Sequence, residues 1–96
     1  MTDRDHAPQW RIVAADAQAS DLEFSAVYRS NYDFVWRCVR RLGVPPGWVD
    51  DAAQEVFVIV HRRLGEFDAR APLRSWLFGI LRKVAATQRR RAEREA

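Results

Sequence analysis

The sequence predicts an all-α domain: three main helices packed as a small bundle. Three observations carry that expectation. Apolar residues recur every three or four positions in three separate segments, the spacing of one helix face. Gly43 with Pro45-Pro46, and Gly65 with Pro72, stand between those segments, and these residue types end or begin helices. No stretch alternates with the period of two that a half-buried strand requires. The 96 residues suit one domain, and four Trp, five Phe and two Tyr supply bulk for its core.

Residues 1–19 carry Trp10, Ile12 and Val13 as their large apolar side chains, without sustained periodicity, and read as a flexible leader. The domain is expected over 20–96. Ser20 and Glu23 have the capping-box spacing, which starts the first helix near residue 21. Phe24, Val27, Tyr28, Val35, Cys38, Val39 and Leu42 form its buried stripe, and Gly43 caps its end. On that stripe Cys38 is expected to be a small core residue rather than a reactive thiol.

The second helix is expected from about Trp48 to Leu64, with Asp50 and Asp51 complementing the dipole at its start and Arg62 and Arg63 at its end. Its core stripe is Val49, Ala52, Ala53, Val56, Phe57, Val60 and Leu64. Val58 falls on the opposite face among Asp51, Gln54, Glu55 and Arg62. It is either a single exposed apolar residue or the centre of a partner surface. Phe67, in the polar connection 65–72, plugs the core from the side, stacks on a ligand, or does both with different ring faces. The third helix begins near Pro72 and buries Leu73, Trp76, Leu77, Ile80, Leu81, Val84 and Ala85. It then turns basic, with Arg82, Lys83, Arg89, Arg90, Arg91 and Arg94.

The net charge of +3 hides a polarity. Residues 1–36 hold three arginines against six acids; residues 37–96 hold thirteen bases against seven acids. A basic half of this kind suits an anionic partner, nucleic acid first. Fifteen of the sixteen cations are Arg, which forks onto phosphate and stacks on bases. Phosphate contacts release counterions, so such binding weakens steeply with salt. Phe67, Arg70 and Arg74 would add stacking and charge. A compact helix-turn-helix is disfavoured, because the connections 43–47 and 65–72 exceed its three- or four-residue turn.

Other classes are excluded on composition. Cys38 is alone, and His6 and His61 are the only histidines, so no disulfide, metal or cofactor site is expected. No apolar run reaches the roughly 20 residues of a membrane span, and the N-terminus does not resemble a signal peptide. The expected location is the cytoplasm. No catalytic constellation is visible, so the chain reads as a binding module and not an enzyme.

The segment Asp-Asp-Ala-Ala-Gln-Glu-Val-Phe, residues 50–57, resembles the signature of bacterial sigma factors. Phe67, then Ser-Trp-Leu-Phe-Gly-Ile at 75–80 and the Arg-rich run follow at the family's distances, and Phe24, Tyr28, Tyr32, Val35 and Leu42-Gly43 match its opening helix. Over roughly residues 20–94 the chain is most similar to region 2 of the extracytoplasmic-function class. The resemblance implies that Asp51, Gln54, Glu55, Val58 and Arg62 contact the clamp helices of the largest subunit of RNA polymerase. It also implies that the third helix and its preceding loop recognise the promoter −10 element, capturing an unpaired non-template base. Phe67, Asp68 and Arg70 would help wall that pocket; Arg74, Phe78, Arg82, Lys83, Arg89 and Arg90 would meet bases or phosphates. An anti-sigma factor is a further implied partner.

Two departures bear on the pocket. Lys83 stands where many members have an Asn, and Thr87 where an Asp is common. Lys only donates hydrogen bonds, whereas Asn donates and accepts, so the resemblance implies the promoter-binding role without fixing which base the pocket prefers. Family members also carry a second domain that reads the −35 element; the chain is expected to be either excised from a longer protein, the favoured reading, or a stand-alone region 2. The rival to DNA recognition is a module that binds a regulatory protein and whose charge run is only solvated.

Overall fold

The computed structural model describes residues 18–96. Three helices dominate: α1, Gln18–Arg41; α2, Val49–Arg63; and α3, Leu73–Glu95. Single 3-10 turns, Pro46–Trp48 and Leu64–Glu66, sit in the connections. There is no strand among the described residues. The leader expected over 1–19 lies outside the described residues, except that Gln18 and Ala19 are already helical. Ser20 is therefore inside α1 and not its N-cap, because Gln and Ala favour the helix enough to carry it further back.

The end of α1 follows the sequence closely. Gly43 adopts φ +97°, a left-handed conformation that is unstrained for glycine. Its N–H donates to the Arg40 carbonyl at 3.0 Å, and the N–H of Val44 reaches back to Val39 at 3.4 Å. These two bonds are a Schellman motif. Val39 and Val44, the pair that this motif brings together, are both buried. Pro45-Pro46 then redirects the chain. At the start of α3, Pro72 is the extended N-cap residue rather than the first helical one, and its carbonyl accepts from Ser75 and Trp76.

Side-chain contacts fix the packing directions. Tyr28 of α1 meets Phe57 of α2, while Trp36 meets Asp50, so α1 and α2 are antiparallel. Ile59 and Arg63 of α2 share a cleft with Lys83 and Trp76 of α3, so that pair is antiparallel as well. Asn31 bonds Arg74 and Leu42 bonds Arg89, so α1 and α3 run parallel.

The central helix α2 buries Val49, Ala52, Ala53, Val56, Phe57 and Val60 against both neighbours. Val35 and Val39 come from α1, and Leu77, Ile80, Leu81, Val84 and Ala85 from α3. Each large side chain removed from water contributes about 1.5–3 kcal/mol. The aromatic half of the α1 stripe is only partly covered. Phe24, Tyr28 and Tyr32 gather on Phe57 with ring centroids 4.8–6.4 Å apart. Cys38, Leu42, Leu64, Leu73 and Trp76 pack on the core while remaining half-buried. The stripe of α3 also runs further than expected. Gln88 is 5% exposed and Ala92 9%, because the series Leu81, Ala85, Gln88, Ala92 keeps one face turned inward beyond the apolar pattern.

Candidate functional site

Two surfaces collect the candidate residues. The first is the outer face of α2. A helix turns about 100° per residue, so Asp51, Gln54, Glu55, Val58 and Arg62 fall within an arc of roughly 100°. All five are exposed, and Val58 is 46% exposed. Gln54 is held in place: its Nε2 donates to the Tyr28 hydroxyl at 3.2 Å. Beside it lies a groove of about 340 Å³ walled by Phe24, Tyr28, Phe57, Val58, His61 and Arg62. Phe24 meets His61 edge-on at 4.8 Å. Val58 is thus not an isolated apolar residue but one wall of an aromatic groove. Nearby, burial above all, then the Asp50 carboxylate, holds the Tyr32 phenol above its ordinary value near 10.

The second surface is a cleft of about 300 Å³ between α2 and α3. Trp76, Ile59, Ile80 and Val84 give it apolar walls, Gly79 leaves one side open, Arg82 and Lys83 set cations around it, and Arg63, paired with Glu66 at 3.0 Å, completes the rim. Of the predicted nucleic-acid residues, Arg82 and Lys83 line this cleft directly. Both are exposed and make no hydrogen bond or ion pair among the described residues. Sequence reasoning assigned Trp76 to the core; half of it is, but it also faces the cleft. Ile59, Arg63 and Gly79 were not anticipated. Their antiparallel register with α3 was the missing signal.

Phe67 is half-buried at the edge of the bundle and in contact with Trp76. Its ring sits 5.5 Å from Trp76, and it shares an apolar groove with Leu22, Val27, Leu64 and Leu73. It therefore backs Trp76 rather than lining the cleft. The loop after it is locally organised. Asp68 accepts the Arg70 backbone N–H at 3.1 Å and pairs with its guanidinium at 3.1 Å. Ala69, between them, takes φ +66°, a conformation that costs an alanine about 1–2 kcal/mol.

Two predicted DNA contacts are partly committed inside the protein. Arg74 donates from Nε to Asn31 Oδ1 at 3.1 Å, and its guanidinium carbon lies 4.5 Å from the Phe34 ring centroid. Asn31 is 5% exposed and also donates to the Val27 carbonyl at 2.9 Å. Arg89 donates to the Leu42 carbonyl at 3.2 Å, a group left open at the end of α1. Phe78, 39% exposed, and Arg90 remain on the outer side of α3. Of the predicted nucleic-acid contacts, the cations without a protein partner among the described residues are thus Arg82, Lys83 and Arg90.

Among the described residues no cluster of His, Cys, Asp and Glu is placed to hold a metal, and no helix is long and apolar enough to cross a membrane. Comparison with known proteins adds an independent finding. The family model described as sigma-70 region 2 matches residues 27–95. The chain is also similar to the RNA polymerase sigma factor CnrH of Cupriavidus metallidurans, with 34% identity over 71 residues. That match covers 73% of this chain and 37% of the relative, so the chain spans little more than a third of the relative's length. No solved structure matches.

Proposed function

The chain belongs to the sigma-70 region 2 family, and from that premise we propose that it is a transcription-initiation module of the extracytoplasmic-function class. The outer face of α2 binds the clamp helices of RNA polymerase. The α2–α3 cleft captures one unstacked base of the −10 non-template strand. The observation that carries this reading is the cleft itself: an indole and aliphatic walls bordered by Arg63, Arg82 and Lys83.

The physical logic is a trap for an open strand. Extruding a base costs a few kcal/mol of lost stacking and pairing. Stacking on an aromatic side chain contributes about 1–3 kcal/mol per base, and free cations add phosphate contacts. A duplex keeps its bases stacked inside, so it gains the charge term without the stacking term. The cleft therefore holds DNA that is already open and favours opening. Its volume lies at the small end of ligand-sized pockets, which suits a single heterocycle. Phe67, Asp68 and Arg70 act on this pocket by supporting its Trp76 wall and the adjoining loop.

The face of α2 supplies the protein contact through Asp51, Gln54, Glu55 and Arg62 around Val58. An apolar centre with a polar rim is the usual anatomy of such an interface. An anti-sigma factor that covers either surface would block the function without a separate site. The module acts in the bacterial cytoplasm and carries out no catalysis of its own.

Binding of labelled −10 oligonucleotides tests the DNA role. Single-stranded non-template DNA should bind more tightly than duplex, with affinity falling steeply as salt rises. Equal, salt-insensitive affinity for both forms would overturn it. For the protein role, Gln54→Ala with Glu55→Ala should weaken binding to isolated clamp helices; undiminished binding removes the assignment of that face.

A further inference from the structure

We infer that the C-terminal half of α1 carries a second DNA contact, a phosphate-binding patch for double-stranded DNA formed by Arg37, Arg40 and Arg41 around Trp36. It rests on the reading that the chain binds promoter DNA, and it adds a surface outside the α2–α3 cleft.

These four residues line one shallow depression of about 320 Å³ on the outer side of α1. The indole is locked, since Nε1 of Trp36 donates to Asp50 Oδ1 at 3.0 Å. That leaves its ring as a fixed apolar wall beside three guanidinium groups. All three arginines are exposed and make no ion pair or hydrogen bond among the described residues. Asp33, one turn before Arg37, and Asp50, bonded to Trp36, are the acids beside it, and three arginines against two carboxylates leave the patch net positive. Arg40 and Arg41 lie in the last turn of α1, where cations complement the helix dipole. The dipole effect fades within that turn and does not account for Arg37.

The density of charge selects a duplex. From Arg37 to Arg41 the helix rises about 6 Å. Over that length a duplex presents about 3–4 phosphates, but a single strand only about 2. Arg89 of α3 meets the end of α1 at Leu42, on the side of α1 turned toward α3, and the patch lies round the helix from that contact. The cleft lies between α2 and α3 and the patch on the outside of α1, so a duplex adjoining the opened segment is what reaches the patch.

The test uses the full chain with two probes: a single-stranded −10 oligonucleotide, and a fork joining that strand to a duplex. The variant replaces Arg37, Arg40 and Arg41 with Gln, and a companion replaces them with Lys. Three phosphate contacts contribute about 2.7 to the slope of log affinity against log salt, or about 40-fold between 50 and 200 mM. The expected result is that the Gln variant loses this part of the slope on the fork, binds the single strand as before, and is rescued by Lys. An unchanged slope on the fork, an equal loss on both probes, or a loss seen only in polymerase binding overturns the inference. A wild-type chain that binds neither probe overturns the underlying DNA reading as well; one that binds the single strand while the fork slope is unaffected overturns this inference alone.

Discussion

Replacing Gly43 with Ala tests how the end of α1 is held against the basic half of α3. Gly43 sits at φ +97°, and a Cβ built there lies 3.1 Å from Arg89 Cδ and 3.7 Å from Arg89 Nη1. The left-handed backbone costs an alanine about 1–2 kcal/mol. Arg89 is flexible and can retreat, but retreat breaks its bond to the Leu42 carbonyl, which is worth about 1 kcal/mol. A stiffer unfolded chain offsets about 0.5–1 kcal/mol. The net expectation is a loss of about 1–2.5 kcal/mol. For a domain of this size that lowers Tm by roughly 5–15 °C. Denaturant unfolding of Gly43→Ala, Arg89→Ala and the double variant measures both parts. The loss from Gly43→Ala should be smaller when Arg89 is already Ala, by about the value of the broken bond. A loss below about 0.5 kcal/mol for Gly43→Ala, or strict additivity in the cycle, refutes the account.

Three further outcomes follow from the same structure. Leu81 is fully buried between the helices, so Leu81→Ala should cost about 2–5 kcal/mol in chemical denaturation, while Arg90→Ala on the surface should change stability little. Lys83→Asn exchanges a free cation in the cleft for a group that donates and accepts; it should lower the salt slope of single-strand binding by about 0.7 and change the preferred base in an oligonucleotide series. The Tyr32 phenol titrates above its ordinary value near 10 because it is partly buried and feels the Asp50 carboxylate. The unfolded chain loses that proton first, so the contribution of Tyr32 is complete below pH 10 and declines as pH rises toward the folded value. Stability measured from pH 9 to 11 should fall less steeply in Tyr32→Phe, and an unchanged slope would contradict the assignment.

Substitutions at Arg89 illustrate why position within the fold changes what a charge means. Reversing Arg89, Arg90 and Arg91 together would remove the proposed phosphate contacts and also the bond from Arg89 to the Leu42 carbonyl at the end of α1. The cleaner probes of DNA binding are Arg82, Lys83 and Arg90, which are exposed and have no protein partner among the described residues. Arg74 carries the same double meaning as Arg89, since it satisfies the buried amide of Asn31.

The helices, their stripes and the cap at Gly43 were legible in the sequence because each is a local matter. Periodicity reports which face of a helix turns inward, and a glycine before two prolines reports where it stops. The outer face of α2 was legible for the same reason: its five residues share one helix, so their arc follows from helical geometry alone. The sigma-factor likeness rested on ordered residues along the chain and needed no packing. What only the tertiary structure decided lies between helices. Asn31 and Arg74 are 43 positions apart, and Leu42 and Arg89 are 47 apart. No local pattern reports such pairs, because they depend on the register in which the helices pack. That register gave two expected DNA-binding arginines, both still exposed, a bond inside the protein, and it set Phe67 against Trp76. It also joined Ile59 and Arg63 to Arg82 and Lys83 around one cleft. Sequence determined the charges; packing determined which of them remain free for a partner.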